Sequence, residues 1–117
     1  MAQTTTYKGK PIIETDFGGC VPGKYAPLIA AAQKSIMAAP RGTVLALTRF
    51  GNSRFDPGTV LEMERFASAV MPYLKANAFV GVTGMKRVIF NGIKPLYRVP
   101  VELFDDDAVA REWLAGR

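Results

Sequence analysis

A chain of 117 residues with 49% hydrophobic side chains can build one core and is too apolar for a disordered segment. It has no histidine and one cysteine, Cys20, which excludes histidine acid/base chemistry and an internal disulfide. Fifteen Lys and Arg against ten Asp and Glu leave a net charge of +5, a balance that favours anionic partners.

The charge is unevenly spread. No acid lies between Asp16 and Asp56 or between Glu64 and Glu102, and the second gap holds Arg65, Lys75, Lys86, Arg87, Lys94 and Arg98. The polar, Thr-rich start reads as a flexible segment over residues 1–7, with the domain spanning 8–117. It lacks a charged region followed by an apolar one, so no secretory signal is visible, and no apolar run is long enough to span a bilayer. A cytoplasmic setting is expected.

Pro11 to Phe17 predicts the first strand, with Ile13, Thr15 and Phe17 on one face and Ile12, Glu14 and Asp16 on the other. Two acids on one face mark that face as partly wet and the strand as an outer one. Residues 22–39 predict a helix whose stripe is Tyr25, Leu28, Ile29, Ala32, Ile36 and Ala39, with Pro27 in the first turn. Thr43 to Phe50 is apolar on both faces and reads as an interior strand. After the loop Gly51–Asp56, Asp56 is a good N-cap and Pro57 a good first residue for a helix reaching about Leu74, with Pro72 near its end.

Ala78 to Gly84 is an apolar run closed by glycine, the signature of a buried, central strand. Met85, Val88, Ile89, Gly92 and Leu96 then recur on one side of a helix that must stop before Pro95. Val99 to Phe104 is the last strand, delayed or pushed to an edge by Pro100. Asp105–Asp107 opens a last helix whose docking residues are Val109, Trp113 and Leu114. Strands alternating with helices predict an α/β domain with a mostly parallel sheet of four to five strands and helices mainly on one face.

The segments Val44-Leu45-Ala46-Leu47-Thr48, Arg54-Phe55-Asp56-Pro57, Pro72-Tyr73-Leu74-Lys75, Val80-Gly81-Val82-Thr83-Gly84-Met85-Lys86-Arg87 and Phe104-Asp105-Asp106, with Trp113-Leu114, occur in this order. In that combination, spanning about residues 10–115, the chain resembles STAS-like domains of the SpoIIAA-like family. These are relatives of the anti-sigma-factor antagonists and, in fold, of the CRAL-TRIO lipid-transfer domains. The resemblance implies a non-catalytic regulatory or protein-interaction module. The antagonists carry a phosphorylatable serine after the aspartate that Asp56 matches. Pro57 and Gly58 follow here, and Ser53 and Thr59 are out of register.

Two candidate surfaces emerge. The loop residues Asn52, Ser53, Arg54 and Asp56 and the turn residues Thr83, Gly84, Lys86 and Arg87 lie after strands, where α/β sheets engage partners or anions. Phe90, Ile93 and Tyr97 flank the stripe of the third helix as an apolar patch for a partner or lipid. The expected partner is another protein, with a homodimer as one form. Alternatives are carriage of a small apolar or lipid-like ligand, and nucleic-acid or anion binding through the basic 65–98 region, the latter disfavoured. No cofactor and no metal are expected, and no residue set pairs a base with something to activate, so an enzyme is least favoured.

Overall fold

The branched and aromatic residues of the predicted strands form a twisted sheet in the order β1-β2-β3-β4-β5. The computed structural model describes residues 2–117, the Leu96 side chain excepted. The place given to Leu96 on the third-helix stripe, and Met1 in the flexible start, therefore lie outside the described residues. The elements are β1 (Ala2–Tyr7), β2 (Lys10–Asp16), α1 (Ala26–Met37), β3 (Val44–Arg49), α2 (Pro57–Val70), β4 (Leu74–Val80), α3 (Met85–Ile93), β5 (Val101–Phe104) and α4 (Asp107–Ala115). Single 3-10 turns at Met71–Tyr73 and Lys94–Leu96 follow α2 and α3.

The segment read as flexible is instead a strand. β1 pairs antiparallel with β2 from Ala2↔Thr15 to Tyr7↔Lys10. The two residues between them, Lys8 at φ 51° and Gly9 at φ 78°, supply the double positive φ of a tight hairpin turn. β1 covers the outer edge of β2, so β2 is not an outer strand and Glu14 is not wet: it is 1% exposed.

The other pairings are parallel, and each crossover steps one place along the sheet. Right-handed crossovers that all step in one direction deposit their helices on one face. α1, α2 and α3 accordingly pack over Ile13, Val44, Ala46, Phe50 and Phe79. α4 follows the last strand with no further crossover and covers the other face. There Ala76 and Ala78 of β4 leave room for Ala110 and Leu114 to sit fully buried. Ala110 thus replaces Val109 as a docking residue, Val109 being 56% exposed. The centre of the sheet is β3, and the strand expected to be central, β4, lies between β3 and the edge strand β5.

Proline and aspartate set the helix ends. Asp56 caps α2 by accepting a hydrogen bond from the Thr59 amide at 2.7 Å. Pro72 has no N–H to offer, so α2 ends at Val70 and β4 starts at Leu74, earlier than the expected strand at Ala78. Asp106 caps α4 through the Ala108 amide at 2.6 Å, and Pro100 delays β5 to Val101 on the edge of the sheet.

Candidate functional site

The loop after β3 and the turn before α3 meet at the C-terminal end of the parallel strands. Their contact is close because Gly81 has φ +80° and no side chain: a Cβ there would lie 2.9 Å from the Gly51 nitrogen. The Phe50 amide donates to the Val80 carbonyl at 2.9 Å, and the Arg54 amide to that of Cys20 at 2.9 Å. The buried Tyr25 hydroxyl donates to the Arg54 carbonyl at 2.8 Å, and burial pushes its phenol up to about 12.

Of the predicted site residues, Ser53 and Lys86 come together. Lys86 Nζ donates to the carbonyls of Phe50 and Ser53, both at 3.0 Å, and reaches Ser53 Oγ at 3.2 Å. Burial without an acidic partner lowers its pKa. Lys86 is therefore a strap between α3 and the β3 loop, where an outward anion ligand was expected. Arg54 and Thr83 line the same shallow depression, while Asn52, Gly84 and Arg87 are exposed and outside its lining. Asp56 is engaged in capping, its carboxyl held down by the Thr59 N–H and hydroxyl. The out-of-register hydroxyls are both enclosed: Ser53 is 5% and Thr59 0% exposed. Among the other cations of the basic stretch, Lys94 pairs with Glu102 at 2.9 Å.

α3 is rotated from the orientation its stripe suggested. Met85 is 75% and Val88 64% exposed, whereas Phe90 is 7% exposed. The supposed docking patch Phe90, Ile93 and Tyr97 faces inward. The reason is the aromatic cluster beneath: Phe90 lies 4.6 Å from Phe79 and 5.2 Å from Phe50, ring centre to ring centre. Tyr97 completes the edge against Phe79 at 6.2 Å, and burial raises its phenol to about 12.

Between α3, α2 and the sheet these side chains enclose a cavity of about 30 Å³. Met63, Phe66 and Ala67 of α2 form its other wall. Its floor holds two buried polar residues that sequence reasoning passed over, Thr48 of β3 and Asn77 of β4. The Thr48 hydroxyl donates to Asn77 Oδ1 at 3.3 Å. The available signal was strand alternation, which places Thr48 with Val44 and Ala46, and Asn77 with Phe79, on the helix-covered face.

The opposite face carries a second missed cluster. Glu14 accepts from Thr5 Oγ1 at 2.6 Å, from Arg49, and from Arg111 Nε and Nη2 at 3.0 and 3.1 Å; Arg49 also donates to Asp107 at 2.9 Å. Burial pushes the Glu14 carboxyl up, but the bonds from Arg111, Thr5 and Arg49 outweigh it and hold the pKa at about 2. The cluster joins β1, β2, β3 and α4. Among the described residues, no group of three His, Cys, Asp or Glu side chains is placed to hold a metal ion, and no helix is long and apolar enough to cross a membrane.

These features define a single α/β domain with a mostly parallel five-stranded sheet and an apolar cavity under its third crossover helix. Its fold is SpoIIAA-like. It matches the crystal structure of an uncharacterised protein from the DUF3478 family with a SpoIIAA-like fold, from Shewanella loihica PV-4, with a TM-score of 0.78. The match has 10% sequence identity and covers 97% of this chain and 92% of that one. No family model and no curated protein matches the chain.

Proposed function

We propose that the protein is a non-catalytic binding module that holds a small apolar ligand beneath α3. The observation that carries this reading is the mostly apolar cavity lined by Phe50, Phe79, Phe90, Ile93 and Tyr97. At about 30 Å³ it has room for a water molecule and not for an organic ligand. A ligand therefore enters by displacing α3, the helix with a single buried side chain, Phe90. The fold analogy to lipid-transfer domains supports the same reading. Catalysis finds no support in the enclosed carboxylate, since Glu14 is saturated by two arginines and a threonine on the far face.

A second reading, the regulatory protein-interaction module, is favoured by Met85 and Val88 standing in solvent on the outer face of α3, next to the Asn52–Asp56 loop. A phosphorylation switch is not part of it, because the Ser53 and Thr59 hydroxyls are buried and hydrogen-bonded.

Native mass spectrometry of protein purified gently from its own host tests both. A small molecule retained by the wild type and lost from Ala67→Leu, which fills the cavity from α2, supports the carrier. A bare chain that takes up no apolar probe refutes it. A second polypeptide lost on Met85→Ser and Val88→Ser supports the interaction module. The same spectrum reads whether the module is the expected homodimer.

A further inference from the structure

The cavity lining is apolar apart from the Thr48–Asn77 pair on its floor and the phenol-bearing Tyr97 at its edge. Asn77 is 5% exposed and lies among apolar neighbours of the helix-covered face. Its Oδ1 accepts from the Thr48 hydroxyl. Its Nδ2 amide donates to nothing among the described residues. No enclosed side-chain nitrogen or oxygen there lacks a partner, so this nitrogen opens onto the cavity. An amide donor facing an apolar cavity with no acceptor is unfavourable, and an asparagine in the middle of a strand is a poor strand former. A hydrophobic residue at position 77 would seal the floor at no such expense.

We propose that Asn77, oriented by Thr48, is the polar anchor of the cavity and selects apolar ligands that carry one carbonyl oxygen. This rests on the reading of the cavity as a ligand site. The assignment of class follows from the donor inventory. Oδ1 has the Thr48 hydroxyl as a partner while the Nδ2 amide has none among the described residues, so the group left to be satisfied is an N–H donor, and its complement is an acceptor. The cavity has no cation to neutralise a carboxylate: Lys86 is turned onto the carbonyls of Phe50 and Ser53, outside the lining. A neutral oxygen acceptor, with aromatic or aliphatic surface on either side to meet Phe50, Phe79 and Phe90, fits the site. Thr48 is a positioning residue, since its hydroxyl acts by fixing which end of the amide faces the cavity.

Acetophenone and ethylbenzene test this, because they have nearly the same shape and differ by a carbonyl in place of a methylene. The carbonyl is well hydrated, so a purely apolar cavity prefers ethylbenzene by more than tenfold. A cavity with a waiting N–H donor removes or reverses that preference. Dissociation constants are measured by NMR titration on the full chain, for wild type and Asn77→Leu. The expected result is that wild type binds acetophenone at least as tightly as ethylbenzene. In Asn77→Leu the ratio shifts at least tenfold towards ethylbenzene, while ethylbenzene itself still binds. If Asn77→Leu fails to fold, the wild-type ratio and the shift of the Asn77 side-chain amide signals with acetophenone, absent with ethylbenzene, decide the matter. A wild type that prefers ethylbenzene by more than tenfold overturns the role of Asn77 and leaves the carrier reading standing. Binding of neither probe overturns both, and leaves a trapped water as the occupant.

Discussion

Glu14→Gln removes the charge at the centre of the far-face cluster, and the direction of the Glu14 shift gives its effect a definite pH dependence. The wild-type carboxyl titrates at about 2 in the fold and at 4.5 as a free side chain. That difference contributes about 3 kcal/mol of stability at neutral pH. The folded pKa is the lower one, so the contribution is complete above the unfolded value and is lost as pH falls through the folded value. At pH 3 less than half of that contribution remains. A glutamine has no charge to lose, so the variant lacks this contribution at every pH, and Arg49 and Arg111 keep Asp107 as their anionic partner. Urea unfolding read by Trp113, the one tryptophan, is the assay; it lies against Phe104 at 5.5 Å and reports α4 docking. With a slope of about 2 kcal/mol per molar, the midpoint falls by about 1.5 M at pH 7 and by less than half as much at pH 3. A loss below about 1 kcal/mol at pH 7, or an equal loss at both pH values, would refute the clamp.

Four further outcomes follow from particular contacts. Asp56→Ala removes the acceptor for the Thr59 amide and hydroxyl, so hydrogen exchange should quicken in the first turn of α2 and the Tm should fall by about 5 °C. Gly81→Ala places a Cβ 2.9 Å from Gly51 nitrogen at φ +80°, while Gly9→Ala at φ +78° meets open space. Chemical denaturation should show about 1 kcal/mol for Gly9→Ala and clearly more, about 3 kcal/mol, for Gly81→Ala. Thr48→Val combined with Asn77→Leu removes both members of the buried polar pair and should leave the urea midpoint unchanged or raised, since no partner is stranded. Native-state exchange should show α3 opening locally while β3 and β4 open only with the whole domain. Equal protection of α3 and β3 would leave a ligand no way in.

How far the sequence carries depends on whether the deciding contact is local. Asp56, Pro57, Pro95 and Pro100 act on their own neighbourhoods, and the element ends they imply match the structure. The β1–β2 hairpin escaped because its turn is Lys8-Gly9, without the Asn-Gly or Asp-Gly that announces such turns. Glu14 was misread because the arginines that make its burial tolerable, Arg49 and Arg111, lie 35 and 97 positions along the chain. In α3 the helical period revealed a stripe but not which side is covered. The answer lay in Phe50 and Phe79, whose rings draw Phe90 inward and leave Met85 and Val88 outside. Alternation put Thr48 on the correct face, but only the parallel register of β3 with β4 brings it to Asn77.

The two faces of the sheet are held in different ways, and the difference bears on where a ligand can enter. On the α4 face, small residues on β4 allow close approach, and a charge cluster ties the helix to three strands at once. Opening that face would expose four ionic groups and an apolar seam together, so it yields only with the whole domain. On the other face the grip is uneven. α1 and α2 each bury two or more side chains, whereas α3 buries Phe90 alone and is strapped by one lysine to two carbonyls. It runs between Gly84 at φ +60° and a 3-10 turn containing Pro95, and leads to the shortest strand, on the sheet edge. The weakest-held helix is therefore the one that roofs the cavity. Loosening there leaves the clamp of Glu14, Arg49 and Arg111 intact, so the fold can open the cavity without approaching its unfolding transition.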